Sequence, residues 1–162
     1  MFTPGSASTP NKAGFSPETD FQHDTLTNDG FWPDVNMADF QQNRSIPVDI
    51  PADLIKGALL AAVNEVNDAL KIVRNRHQAQ GVLSAKDVKG PAFGDINALC
   101  AQYQKAIFAR AKADLMGEFT SLSHKGQFPN QEGRETRDTL LAEASVVMRN
   151  IKGRKRVGVH LL

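Results

Sequence analysis

The 162-residue sequence predicts an all-α fold: an antiparallel bundle of three long helices plus a short helical turn, with an extended N-terminal arm and an extended, strand-like C-terminal tail. Three observations carry the prediction. Apolar residues recur at intervals of three and four in three separate stretches, the period that gathers side chains on one helix face. Glycine and proline cluster between those stretches, around 81–94 and 126–133. Neither end of the chain shows helical periodicity. The boundaries that follow are an arm over 1–48, a helical bundle over 49–153 and a tail over 154–162.

In the arm, Pro4, Pro10, Pro17 and Pro33 interrupt any period, and aromatic side chains stand mostly alone. Such a segment cannot bury enough apolar surface by itself to offset its chain entropy, so it is expected to be extended, or disordered when free. One patch differs. Phe31, Trp32, Pro33, Asp34 and Val35 set the only tryptophan beside a phenylalanine and a rigid proline, and Phe40 follows. Either the arm folds back on its own bundle, or Phe31, Trp32 and Val35 anchor in a neighbouring subunit, where buried aromatics dominate binding energy.

The first helix is predicted from Pro51, whose missing amide costs nothing in a first turn, to about His77 or Gln80. Ile55, Leu59, Ala62, Val66, Ala69 and Val73 form a heptad-like seam, while Lys56, Asn64, Asn67, Asp68, Lys71 and Arg74 make the outer, solvated face. Gly81 ends it. Between 81 and 94 one short helical turn is expected after Ser84, whose hydroxyl with Asp87 resembles a capping box.

The central helix is predicted over Asp95–Phe119, with Asp95 as N-cap and Ile96, Leu99, Cys100, Tyr103 and Ile107 on one face. Beyond Ile107 the apolar residues move sideways to Phe108, Ala111, Leu115 and Phe119, so each half of the helix needs its own partner. Alanines at 98, 101, 106, 109, 111 and 113 allow neighbours to approach closely. After a connection over 121–129, the last helix starts between Asn130 and Thr136, buries Leu140, Leu141, Ala144, Val147, Met148 and Ile151, and stops at Gly153 in a left-handed C′ position. Glu135, Asp138, Glu143 and Arg149 lie outside. The tail then alternates Val157, Val159 and Leu161 with no second clear strand to pair with, which implies a sheet edge or groove on another molecule.

Net charge is +1, but residues 1–50 hold seven acidic against two basic side chains, and residues 149–162 hold Arg149, Lys152, Arg154, Lys155 and Arg156 with no acid. Opposite ends therefore suit different partners, or head-to-tail contact between copies. No stretch of about 18 apolar residues is present and the first ten residues lack the features of a signal peptide, so a soluble protein made in the cytoplasm is expected. Cys100 stands alone and is expected to pack as a small apolar residue, since no motif ties His23, His77, His124 or His160 to it. Phosphate loops, paired-histidine metal spacings and nucleophile elbows are absent, and Arg110 with Asp114 reads as a helical ion pair. No enzyme activity and no cofactor are expected.

FWPDV at 31–35, PADL at 51–54, the ExNxxL spacing at 65–70, YQKAIFARAKADL at 103–115 and IKGRKR at 151–156 occur in an order and spacing that resembles the head completion (head stabilisation) proteins of P2-like tailed bacteriophages. The resemblance covers about residues 31–162. It implies a virion protein of the head-to-tail neck, made in the host bacterial cytoplasm: a helical adaptor forming a dodecameric ring of copies below the portal ring. Such a ring retains packaged double-stranded DNA, which passes through the lumen without sequence reading, and offers a docking surface to the tail or a tail-terminator protein. Membrane association is not implied. Carried over by position, Arg154, Lys155, Arg156, Val157, Val159, Leu161 and Leu162 become the portal-binding residues, with Phe31, Trp32 and Val35 the inter-subunit ones. The competing readings are a small DNA-recognition subunit of a packaging machine, which demands steeply salt-dependent duplex binding, and a hydrolase, which demands a pocket with perturbed titratable groups.

Overall fold

The computed structural model describes residues 21–123 and 136–154, and these are mostly helical with two small strand pairs. Strand β1 (Thr25–Leu26) pairs antiparallel with β2 (Val35–Asn36), and helix α1 (Met37–Arg44) follows at once. Helix α2 spans Ala52–Ala79, a 3-10 turn spans Ala85–Asp87, and strands β3 (Ala92–Phe93) and β4 (Ile96–Asn97) form a hairpin. Helices α3 (Ala98–Ser123) and α4 (Arg137–Ile151) complete the described chain.

Local chemistry explains each boundary. Pro51 occupies the N-cap position of α2. At its other end Val82 N–H donates to His77 O and Gly81 N–H to Gln78 O, both at 3.0 Å, the paired bonds of a Schellman motif with Gly81 at φ +81°. Helix α4 ends the same way, with Arg154 N–H on Arg149 O, Gly153 N–H on Asn150 O, and Gly153 at φ +71° as the sequence predicts. Its start is a reciprocal box in which Thr139 N–H donates to Thr136 Oγ1 and Thr136 N–H to Thr139 Oγ1. Ser84 caps the 3-10 turn, but through Lys86 N–H rather than a box with Asp87.

Helix α3 packs on both α2 and α4, which answers the change of face along it. Ala106, Ile107, Phe108, Ala109, Ala111 and Ala113 are all buried, so the helix is enclosed on nearly every side where alanine lets neighbours come close. Ala109 and Ala113 meet Leu140 and Ala144 of α4, while Cys100, Tyr103 and Ile107 face the α2 seam of Ile55, Leu59, Ala62, Val66 and Val73. On α2 the seam turns toward Val63 and Leu70, leaving Ala69 half-buried.

Two expectations are corrected. The central helix starts three residues later than predicted: Asn97, not Asp95, caps it, accepting the Cys100 amide at 2.9 Å, and Asp95 lies in the turn of the β3–β4 hairpin. Ile96, expected on the core face, is therefore 47 % exposed on a strand. The helix also runs on to Ser123, into the predicted connection.

The larger correction concerns the arm. Residues 24–50 are not extended: they form β1, β2 and α1 and place Phe31, Trp32, Val35, Met37, Phe40, Ile46 and Ile50 in the same core as α2 and α3. The premise that this segment cannot build a core alone is sound, but it does not need to, because it completes a core that the longer helices leave open. Asn36 Oδ1 caps α1 by accepting the Ala38 and Asp39 amides. Met37, Phe40 and Gln41 then face inward on one side of eight residues, too short a run to announce itself as a period.

Candidate functional site

Packing accounts for the three aromatic and apolar candidates of the N-terminal segment. Phe31 and Trp32 are 2 % exposed and Val35 is fully enclosed, all within their own chain. Their own chain accounts for this burial, which is the packing that the fold-back alternative describes. Trp32 stacks on Tyr103 with ring centroids 4.4 Å apart and planes within 2°, and meets Phe31 edge-on at 4.9 Å.

Polar bonds hold this wrap in place. Tyr103 Oη donates to Asn67 Oδ1 at 2.6 Å and accepts from Asn28 Nδ2 at 2.7 Å. Asn67 Nδ2 closes the triangle by donating to Asn28 Oδ1 at 2.9 Å, which ties the 27–34 loop to α2 and α3 at once. Asp29 Oδ1 accepts the amides of Phe31 and Trp32, an Asx turn that tips both rings inward, and its other oxygen receives Arg74 at 2.8 Å. Burial pushes the Tyr103 phenol far above its ordinary value, with the Asp29 carboxylate adding to the shift and the amide bonds opposing it.

A second clamp joins α1 to α4. Arg44 donates from both terminal nitrogens to Glu143, at 2.9 and 3.2 Å, and also to Lys105 O of α3. The Arg44 hydrogen bond, with Lys105 nearby, holds the Glu143 carboxyl below its ordinary value. Glu143 was expected on a solvated face, and nothing in its local pattern names a partner 99 positions away. Likewise Arg110 pairs with Glu65 of α2 instead of Asp114.

Among the described residues no group of histidine, cysteine and carboxylate side chains is placed to hold a metal ion. Cys100 is buried, and burial raises its thiol away from the reactive thiolate form.

Of the tail residues, Arg154 closes the α4 cap and is exposed, while Lys155, Arg156, Val157, Val159, Leu161 and Leu162 lie outside the described residues, as do His124, Glu135 and His160. The surface carries features the sequence reading missed. Phe93 is 93 % exposed on the β3–β4 hairpin, beside Ile96. A groove of about 400 Å³ opens elsewhere, beside β1 and the first part of α2. The signal for the hairpin was present: Gly94-Asp95 is a two-residue loop with glycine at its first central position and φ +58°, the arrangement of a type II′ turn.

Comparison with known proteins places these features in context. Residues 26–162 match the profile of the phage head completion protein (GPL) family. The chain is 38 % identical over 143 residues to a probable head completion/stabilization protein of Haemophilus phage HP1 (strain HP1c1), an alignment covering 88 % of this chain and 95 % of that relative. No solved structure matches it. No helix among the described residues is long and apolar enough to cross a membrane.

Proposed function

The chain belongs to the phage head completion protein family, a structural family of the virion and not an enzyme family, and from that premise we propose that it is the adaptor of the head-to-tail neck. In this reading twelve copies close a ring below the portal ring, retain the packaged double-stranded DNA in the lumen without reading its sequence, and present their far face to the tail or a tail-terminator protein. The carrying observation is the identity along nearly the whole length of a head completion/stabilization protein.

The physical chemistry agrees with the role. A closed ring of one kind of subunit needs two different, complementary surfaces on each copy. A fold whose wrap, α2, α3 and α4 share buried side chains gives a stiff block suited to stacking between other rings. The anchor on the portal is the tail, Arg154, Lys155, Arg156, Val157, Val159, Leu161 and Leu162. The glycine-terminated cap of α4 turns the chain away from the helix axis just before it.

Co-purification with the portal ring of the same genome tests this, comparing the full chain with one ended at Gly153. Binding by the full chain alone is expected. Binding by both moves the anchor onto the folded body and refutes the tail assignment, and binding by neither refutes the portal contact.

A further inference from the structure

The packing of the helices gathers charge that lies far apart in the sequence. Tyr103 reaches Asn67 while Arg110, farther along α3, reaches Glu65, so α2 and α3 run in opposite directions. The charge of Arg137 acts on Asp114, and Glu143 comes within 3.7 Å of Lys105, so α4 runs against α3 in the same way. The last turns of α2 and α4 and the first turn of α3 therefore lie at one end of the molecule. Asn97 fastens the 85–88 segment to that end by donating through Nδ2 to the carbonyls of Ala85, Lys86 and Val88 at 2.7 to 3.2 Å.

Five cations collect there: Arg76, Lys86, Lys89, Lys152 and Arg154, all exposed except the half-buried Lys152. None of the five forms an ion pair among the described residues, whereas Arg44, Lys56, Arg74 and Arg110 each hold a carboxylate. The carbonyls at a helix C-terminus favour nearby cations, which accounts for Arg76 and Lys152 but not for Lys86 and Lys89 on the connection between α2 and α3. Asp87 and Asp95 stand exposed at the same end. From Arg154 the sequence continues into Lys155 and Arg156, so the tail named above as the portal anchor leaves the fold beside this cluster. An end of mixed sign with a positive excess suits a folded protein better than a duplex. Phosphates present one sign throughout and would repel Asp87 and Asp95, while a protein surface can set carboxylates against the lysines and a cation against each aspartate.

We propose that this basic end is part of the portal contact: Lys86 and Lys89, with Arg76, Lys152 and Arg154 around the root of the tail, form a collar that faces an acidic surface of the portal ring. This rests on the adaptor reading above and adds to it the chemistry of the partner surface. The tail holds the ring, and the collar steers and orients the approach, since exposed unpaired charge acts chiefly on the rate of encounter.

Charge reversal tests it. Association of the full chain with the portal ring of the same genome is measured at low and at high salt for the parent, for Lys86→Glu with Lys89→Glu, and for Arg137→Glu at the opposite end. The reversed pair is expected to melt within about 2 °C of the parent and to associate about tenfold more slowly at low salt, with the difference shrinking as salt rises. Arg137→Glu is expected to bind as the parent does. Unchanged binding by the reversed pair overturns the collar and leaves the adaptor reading standing. Equal losses in both variants show that only net charge is sensed, and a loss undiminished at high salt shows that charge is not what the pair supplies; either overturns the proposal. Capture of the parent by a random-sequence duplex, abolished in the reversed pair, makes DNA the partner instead. A parent chain that does not bind the ring at all removes the adaptor reading and the collar with it. Should the reversal lower the melting temperature further, Lys86→Gln with Lys89→Gln takes its place, with a smaller loss in the same direction expected and no loss overturning the proposal.

Discussion

Replacing Tyr103 by phenylalanine removes one oxygen and leaves the ring that stacks on Trp32. That oxygen is the donor to Asn67 Oδ1 and the acceptor for one hydrogen of Asn28 Nδ2, whose other hydrogen still reaches Pro33 O. Losing a bond costs about 0.5 to 1.5 kcal/mol, and a part-buried amide oxygen left without its partner adds its desolvation, so the substitution is expected to cost about 2 to 3 kcal/mol. For a chain of this size that lowers the melting temperature by roughly 5 to 10 °C. Tyr103 is also the only tyrosine, so the ultraviolet absorbance of phenolate follows this single group. Burial favours the neutral phenol, which sets its folded value above the unfolded one of about 10. The stability this gives is complete below the unfolded value and is lost as pH rises through the folded one. Phenolate absorbance should therefore be absent from the folded protein at about pH 10 to 11 and appear together with unfolding, and Tyr103→Phe should flatten the alkaline loss of stability. A melting temperature within about 1 °C of the parent, or a phenol that titrates in the folded protein near its ordinary value, refutes the claim that this triangle fastens the N-terminal wrap.

Other substitutions probe the remaining joints. Glu143→Gln should lower stability near neutrality by up to about 1 kcal/mol, since the pair is partly exposed. Because Arg44 depresses the carboxyl, that stability is present above the unfolded carboxylate value of about 4.3 and lost as pH falls through the folded one, so melting curves of the two proteins should converge in acid. Asn97→Ala removes a helix cap and three bonds to carbonyls, one buried and two part-buried, and should cost about 2 to 4 kcal/mol in urea unfolding; a loss below about 1 kcal/mol would show that the hairpin is not held from this residue. Ser45 occupies the left-handed region at φ +51° where glycine is at ease, so Ser45→Gly should raise stability by about 0.5 to 1 kcal/mol, and a fall in thermal unfolding would contradict the strain.

The helical core was legible because its information is local. Ile55, Leu59, Val66 and Val73 on α2, and Leu140, Ala144 and Val147 on α4, announce their buried face through a spacing that needs no knowledge of the partner. Gly81 and Gly153 announced the helix ends in the same way, since a left-handed turn favours glycine whatever surrounds it. The change of face along α3 even reported that two helices lie against it. The family, too, was readable in the order of short motifs, FWPDV through IKGRKR.

What the local pattern withheld were the interactions between distant parts of the chain. Asn67 reads as a solvated helix residue and Tyr103 as a core aromatic, nothing marks Asn28, and the three become one unit only when three segments meet. Arg44 and Glu143 carry no mark of each other. Phe31 and Trp32 stand out in the sequence as aromatics that need a cover, and composition cannot say which surface supplies it. In the tertiary structure α2 and α3 leave a seam at Tyr103 that the chain's own aromatics fill, a contact between distant segments that no local spacing records.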